Sequence, residues 1–494
     1  MNPAALARLI FPEFRFGKTP LDEALRLAEL GVGGFCFYGG SADEVIGASR
    51  TLKAASRTPL LIASDYENGA GQWVKGATEL PTNMAIGASG DAALARRKGE
   101  ITGLEAAALG VDWVFAPVVD LASRPDNPIV NVRAYGADPA LAARLADAYI
   151  SGLGSQGALS CLKHFPGHGS TSSDSHLELP LLDRSAAELD EDLKPFAALA
   201  RRADSVMAGH LLAPALDAAA PVSLSKAALT GALRGRLGFH GLIVTDALNM
   251  KAVSADGEAG VRAFLAGADA LLCPEDPRAL LAALARAAND GLVRPTDVAL
   301  AVSRQEALAR RLSPFRAAPR APEALRCAEH LAFAAEAAPA CLAWAEPGRE
   351  TSFRSGDIVG YLEPLTARKD WRGEAFVSEL VRLGARVEPY QPGCGMRLAA
   401  AVFPLPRAGS GGVNLSGEQA AALEAAVKGA GPSALVSFGS PFVFGPGNRP
   451  SAGLCAFCAL EDFQRAAARV LMGRLKAGGV MPVPPVTAAI GEKK

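Results

Sequence analysis

Six histidines occur in the chain, and three of them, His164, His168 and His176, fall within thirteen positions. The same run holds Lys163 and Asp174, and it follows an apolar segment, Ala158-Leu159-Ser160-Cys161-Leu162, before turning to glycine, proline and serine. A loop of that composition leaving a strand carries titratable side chains into a cleft. Asp174 and His176 stand two apart. In an extended loop such residues project to one side, so the carboxylate reaches an imidazole nitrogen, fixes the tautomer and raises the ring's basicity. That pairing suits proton transfer near neutral pH. A further carboxylate, Asp246, ends the apolar run Gly241-Leu242-Ile243-Val244-Thr245, where an aspartate among cations can act as a covalent nucleophile. Each group also has a plainer reading. Asp246 can cap the helix that follows it, and Asp174 with His176 can be a solvated polar loop. A zinc site on His164 and His168 loses helical geometry at Pro166-Gly167, which leaves a loop site of His164, His168 and Asp174 as the weaker alternative. The expectation is no metal and no cofactor.

Such groups need a rigid frame. Short apolar runs occur at Leu9–Phe11, Gly34–Tyr38, Leu60–Asp65, Val111–Ala116, Ala158–Lys163, Ser205–His210, Gly241–Asp246 and Ala268–Cys273. Alanine-rich segments of helical periodicity, such as Asp91–Leu109 and Pro139–Gly152, lie between them. Near-continuous apolar strands alternating with helices predict an α/β architecture, a parallel (β/α)8 barrel covered by helices. Asp65, Asp120, Lys163, His164, His210 and Asp246 all fall at or just past predicted strand ends, the face where such a barrel places its active site.

At 494 residues the chain exceeds one core. A proline- and alanine-rich stretch, Ser313–Pro322, precedes a new strand–helix alternation. Strands are expected at Asp357–Tyr361, Leu398–Phe403, Ala434–Phe438 and Leu454–Cys458, with helices at Glu374–Leu383, Gly417–Lys428 and Asp462–Leu475. The predicted organisation is a barrel over 1–313, a linker and connecting helix over 314–345, and a smaller α/β sandwich over 346–494. A formal net charge of −1 argues against nucleic acid or an anionic membrane as partner. The N-terminus lacks a secretory pattern, and no run reaches the roughly 20 apolar residues of a span. Eight cysteines are scattered singly apart from Cys455-Ala456-Phe457-Cys458, which lacks a second pair for zinc. The expectation is a cytoplasmic monomer or homodimer with buried thiols.

The run Lys163-His164-Phe165-Pro166-Gly167-His168-Gly169, ending in Asp174-Ser175-His176, resembles glycoside hydrolase family three, its β-N-acetylglucosaminidase branch most of all. Val244-Thr245-Asp246-Ala247-Leu248-Asn249-Met250, Ser64-Asp65-Tyr66-Glu67-Asn68-Gly69, Ala116-Pro117-Val118-Val119-Asp120 and Asn131–Pro139 carry the same resemblance. It extends through Phe438-Gly439-Ser440-Pro441, Ala468–Gly473 and Gly478–Val483. The resemblance implies an exo-acting, retaining β-N-acetylhexosaminidase with a carbohydrate substrate from peptidoglycan or chitin. Asp246 would form a glycosyl-enzyme, and His176, oriented by Asp174, would serve as acid/base. Asp65, Arg133, Lys163 and His164 match positions that hold the terminal sugar, and Asp120 and Met207 match further rim positions. Because a neutral imidazole repels an incoming anion less than a carboxylate does, phosphorolysis stays open beside hydrolysis. So do another sugar specificity and a non-catalytic sugar-binding barrel. Two departures stand out: Ser170-Thr171 where the family has Asp-Thr, and Trp73 where it has a sugar-binding arginine, with Lys75 nearby.

Overall fold

The computed structural model describes residues 2–175, 177–253, 258–317, 320–346, 348, 353–366, 372–393, 395–406, 409, 412–413, 415–444 and 450–484. The chain divides into two units, the first comprising Met1–Leu80, Ala92–Leu121 and Ala142–His330. The strands of the first unit are β1 (Ile10–Phe11), β2 (Glu13–Arg15), β3 (Gly34–Tyr38), β4 (Leu61–Ser64), β5 (Trp113–Val114), β6 (Cys161–Phe165), β7 (Ser205–Ala208), β8 (Leu242–Thr245) and β9 (Leu271–Leu272). β1 and β2 form one extended segment interrupted at Pro12, which has no N–H to give, although its carbonyl accepts from Cys36 N–H at 2.9 Å. All pairings are parallel: β2–β3–β4–β5, β6–β7–β8 and β1–β9. Single parallel bridges, Trp113 with Leu159 and Val244 with Ala270, join these groups into a closed ring. Counting β1 and β2 as one, the ring among the described residues has the eight strands expected, with β3 matching its apolar run Gly34–Tyr38 and β6 running past its own to Phe165.

Apolar side chains fill the ring: Phe11, Cys36, Leu61, Trp113, Phe115, Cys161, Met207, Val244 and Leu272 are all buried in one cluster. Ala309 and Leu312 join it from the long helix Pro295–Ala317. That helix continues through Ser313 and Pro314, where the composition suggests a linker. Its arginines reach aspartates that precede alternate strands. Arg316 Nη2 lies 2.8 Å from Asp112, Arg311 pairs with Asp204, and Arg304 Nη1 lies 2.6 Å from Asp269. Each aspartate also accepts a backbone N–H near the start of the preceding strand: from Ile62 at 3.0 Å, Ser160 at 2.8 Å and Ile243 at 2.8 Å. The N-terminal mouth of the barrel is thus tied shut by one repeated device.

The second unit comprises Leu331–Lys494 with two excursions from the N-terminal half, Pro81–Asp91 and Ala122–Leu141. Its strands are β10 (Ala343–Trp344), β11 (Ile358–Leu362), β12 (Arg386–Pro389), β13 (Arg397–Val402), β14 (Ser433–Ser437) and β15 (Ala452–Cys455). They form one sheet, ordered β10-β15-β14-β13-β11-β12 and parallel except for β10. The four expected strands are its centre. The edges β10 and β12 are too short or too polar to show in the apolar pattern. Thr82 Oγ1 donates to the Phe457 carbonyl at 3.0 Å, Asn131 Nδ2 to Ser440 Oγ at 3.0 Å, and Ala137 N–H to the Pro482 carbonyl at 2.9 Å. These bonds attach the two excursions to the sheet's loops.

Candidate active site

The C-terminal ends of the barrel strands carry the polar groups. Asp65, one residue past β4, accepts from Lys163 Nζ through Oδ1 at 2.6 Å and from the Tyr38 hydroxyl through Oδ2 at 2.8 Å. Lys163 lies within β6 and is buried, so its ammonium requires counter-charge. It finds a second carboxylate in Glu67, whose Oε1 lies 2.6 Å from Nζ. Asp65 remains 22% exposed, whereas Glu67 is enclosed. The exposed carboxylate can meet a ligand, and the buried one balances the lysine. Glu67 and Tyr38 are not among the candidates that residue type and spacing pick out in the sequence. The signal was present, since Glu67 stands within the Asp65-containing motif and a buried lysine needs more than one acceptor. Trp73 packs edge-on against Tyr38, ring centroids 5.0 Å apart. Lys75 is exposed and gives its backbone to Gly40 and Ala42.

Asp120 is the hub of the next cluster. Its carboxylate accepts from His164 N–H at 3.0 Å, His168 N–H at 2.7 Å and the His164 ring Nδ1 at 2.7 Å. Burial alone would raise this carboxyl, but His164 and then His168 outweigh it and hold it below the usual carboxylate value. An ionised Asp120 accepts only, so Nδ1 of His164 carries the proton and Nε2 the lone pair in the neutral ring. Asp120 itself is 0% exposed in its side chain, so its effect on a bound molecule passes through His164. The His168 ring lies 6.0 Å from that of His164, edge to face, and its Nδ1 is 2.7 Å from Thr171 Oγ1. Burial, reinforced by the His164 charge, pushes its pKa down to about 4, so His168 is a neutral ring at pH 7.

Asp246 follows β8 directly and is partly exposed. Its N–H is held by the Ala208 carbonyl at 2.9 Å, and its Oδ1 accepts from Ala247 N–H at 2.8 Å. His210, expected on the rim, is fully buried. One ring nitrogen meets Ser223 Oγ at 2.7 Å and the other the Ala247 carbonyl at 3.1 Å, so it fixes the backbone just after Asp246. Met207 sits in the apolar filling of the barrel. Asp174 is buried, and its carbonyl accepts from Leu177 and Glu178 N–H at 2.9 and 3.1 Å. This is a turn where the sequence suggests an extended loop. His176 lies outside the described residues. Arg133 belongs to the second unit; its carbonyl accepts from Asn83 Nδ2 at 2.8 Å and its Nη1 donates to the Ile129 carbonyl at 2.9 Å. Among the described residues no three His, Cys, Asp or Glu side chains gather to hold a metal ion, and no helix is long and apolar enough to cross a membrane.

The model for the glycosyl hydrolase family 3 N terminal domain matches residues 7–307. A β-N-acetylglucosaminidase/β-glucosidase from Cellulomonas fimi is 32% identical over 401 residues, 75% of this chain and 71% of that protein. A β-hexosaminidase from Chromobacterium violaceum is 42% identical over 247 residues, 47% of this chain and 69% of that protein. Among solved structures, a family 3 β-N-acetylglucosaminidase from Paenibacillus superposes with a TM-score of 0.86 at 28% identity, covering 99% of this chain and 100% of the other. A β-glucoside phosphorylase bound to 2FGlc superposes at 0.88 with 25% identity, covering 98% and 94%.

Proposed function

The chain belongs to glycosyl hydrolase family 3 and is a glycoside hydrolase, and from that premise we propose that it is a retaining, exo-acting β-N-acetylhexosaminidase. The observation that carries this reading is the rim itself: Asp246, partly exposed and oriented by Ala247 N–H, on the same barrel face as the Lys163–Asp65 pair and the Asp120–His164 pair. Asp246 attacks the anomeric carbon and the bond to the leaving oxygen breaks as that oxygen takes a proton from His176. Water then releases the sugar, giving its proton back to the imidazole, so configuration is retained. Asp174 orients His176. Lys163, His164 and Asp65 fix the terminal sugar, with donors and acceptors both present for hydroxyl groups. The names of the relatives from Cellulomonas fimi, Chromobacterium violaceum and Paenibacillus support N-acetylglucosamine as that sugar.

We assign this chemistry to the barrel, expected over residues 1–313 and closed by a helix that runs on to Ala317, and regard the sheet that begins with β10 at Ala343 as the sandwich domain expected over 346–494. The substrates are peptidoglycan or chitin fragments in the cytoplasm; the free thiols at Cys36, Cys161, Cys273, Cys327, Cys341, Cys455 and Cys458 are what a reducing compartment allows. A second reading, phosphorolysis, is favoured by the likeness to the β-glucoside phosphorylase. Aryl β-glycosides supplied with and without phosphate decide between them. Hydrolysis predicts free N-acetylglucosamine at a rate indifferent to phosphate. A sugar phosphate as main product would replace the first reading by the second.

A further inference from the structure

Between β6 and the helix Ala186–Leu199, the chain passes through Gly167–Arg184, the stretch that contains Asp174. One carboxylate on that helix holds both ends of the stretch. Asp192, buried, accepts through Oδ2 from Ser170 Oγ at 3.4 Å and from Arg184 Nε at 3.2 Å, and through Oδ1 from Arg184 Nη2 at 3.4 Å. Arg184 also reaches Glu188 at 3.5 Å, one turn back on the helix. The chain lies against this support closely. A Cβ on Gly167 would come 3.0 Å from the Asp192 Cβ. Gly167 has φ +125°, so a side chain there is strained as well as crowded.

Asp192 and Arg184 are absent from the group that meets the sugar. They tether the segment at Ser170 on one side of Asp174 and at Arg184 on the other. Burial pushes the Asp192 carboxyl above its ordinary value, and Arg184 draws it back. An apolar pair of the same volume would avoid that desolvation, so the ion pair is better understood by the geometry it fixes than by stability. Holding a proton-transfer group within a fraction of an ångström of its target is worth orders of magnitude in rate.

We infer that Asp192 and Arg184 are positioning residues that set the Asp174-bearing loop for proton transfer to the departing oxygen. This rests on the reading above, in which that loop supplies the acid/base pair. A positioning role for acid catalysis has a signature that a purely structural role lacks. Leaving groups that depart unaided are spared, and leaving groups that need a proton are penalised.

The test is kcat/KM for aryl β-N-acetylglucosaminides ranging from dinitrophenyl to unsubstituted phenyl, in wild type, Asp192→Asn, Arg184→Lys and His176→Ala. Asp192→Asn should lower the phenyl value by about tenfold to a hundredfold and the dinitrophenyl value by less than about threefold. Arg184→Lys should lie between it and wild type, and it carries the test if Asp192→Asn does not fold. An equal loss on every substrate, or no loss, while His176→Ala discriminates among leaving groups, would overturn the inference and leave the proposed function standing. A His176→Ala variant with no such discrimination would overturn both.

Discussion

The two mouths of the barrel use the same residue type to opposite ends. At the N-terminal mouth, Asp112, Asp204 and Asp269 are each enclosed, and each is bound by a backbone N–H and by an arginine of the helix Pro295–Ala317. At the C-terminal mouth, Asp65 and Asp246 keep part of their surface open. Their partners, among them Lys163 and Tyr38 for the one and the Ala247 N–H for the other, orient the carboxylate without enclosing it. A carboxylate whose lone pairs are met by fixed donors within the fold is a fastener. One that is oriented and still reachable can react. Asp120 stands between these cases: it lies at the C-terminal mouth but is enclosed like the fasteners, and it fixes His164 and the His168 backbone.

Substitutions at the two mouths should therefore separate activity from stability. Asp246→Ala should cut kcat by at least about a thousandfold, the scale of losing a nucleophile, while the melting temperature stays within a few degrees of wild type. Asp204→Ala should do the reverse. It strips acceptors from Ser160 N–H and Oγ as well as from Arg311, at a cost of about 2–4 kcal/mol in denaturant unfolding. Arg311 is half exposed and can rehydrate, which keeps the cost from being larger. At temperatures where the variant is folded, its kcat/KM should match wild type. Comparable activity loss in both would erase the distinction.

A smaller effect sharpens it from the reactive side. His168 is enclosed as a neutral ring with its pKa near 4, against about 6.5 for an exposed histidine. As pH falls from about 6.5 towards 4, the unfolded chain binds a proton that the folded chain refuses, so folding free energy declines across that window. His168→Asn should flatten the decline by roughly 1–3 kcal/mol in urea melts at pH 6.5 and 4.5. An unchanged slope would mean that the ring takes up its proton in the folded state.

The difference between the mouths also explains what could be read from the sequence. The C-terminal end is concentrated, with Lys163, His164, His168 and Asp174 in one run and Asp246 at the tip of a second apolar strand. The closed end is dispersed. Its aspartates precede strands singly, as Val111-Asp112-Trp113, Ala203-Asp204-Ser205 and Ala268-Asp269-Ala270, and their arginines lie in a helix whose proline at 314 reads as a linker. The repeated apolar-residue–Asp–strand pattern is a signal, but only topology shows that one helix answers all three. Glu67 illustrates a different obstacle: its role follows from the burial of Lys163, which periodicity does not reveal. The turn at Asp174 likewise depends on backbone bonds that residue types do not announce. The attachment of Pro81–Asp91 and Ala122–Leu141 to the second unit left no mark in composition.

The central claim is that the exposed carboxylate of Asp246 becomes covalently joined to the sugar. Mass spectrometry of the protein treated with a fluorinated N-acetylglucosamine analogue that slows release of the glycosyl-enzyme tests it directly. The treated protein should gain the mass of one sugar residue, located by peptide sequencing on Asp246 and absent from Asp246→Ala. An adduct on any other residue, or full turnover of substrate with no adduct and an inverted product, would contradict it.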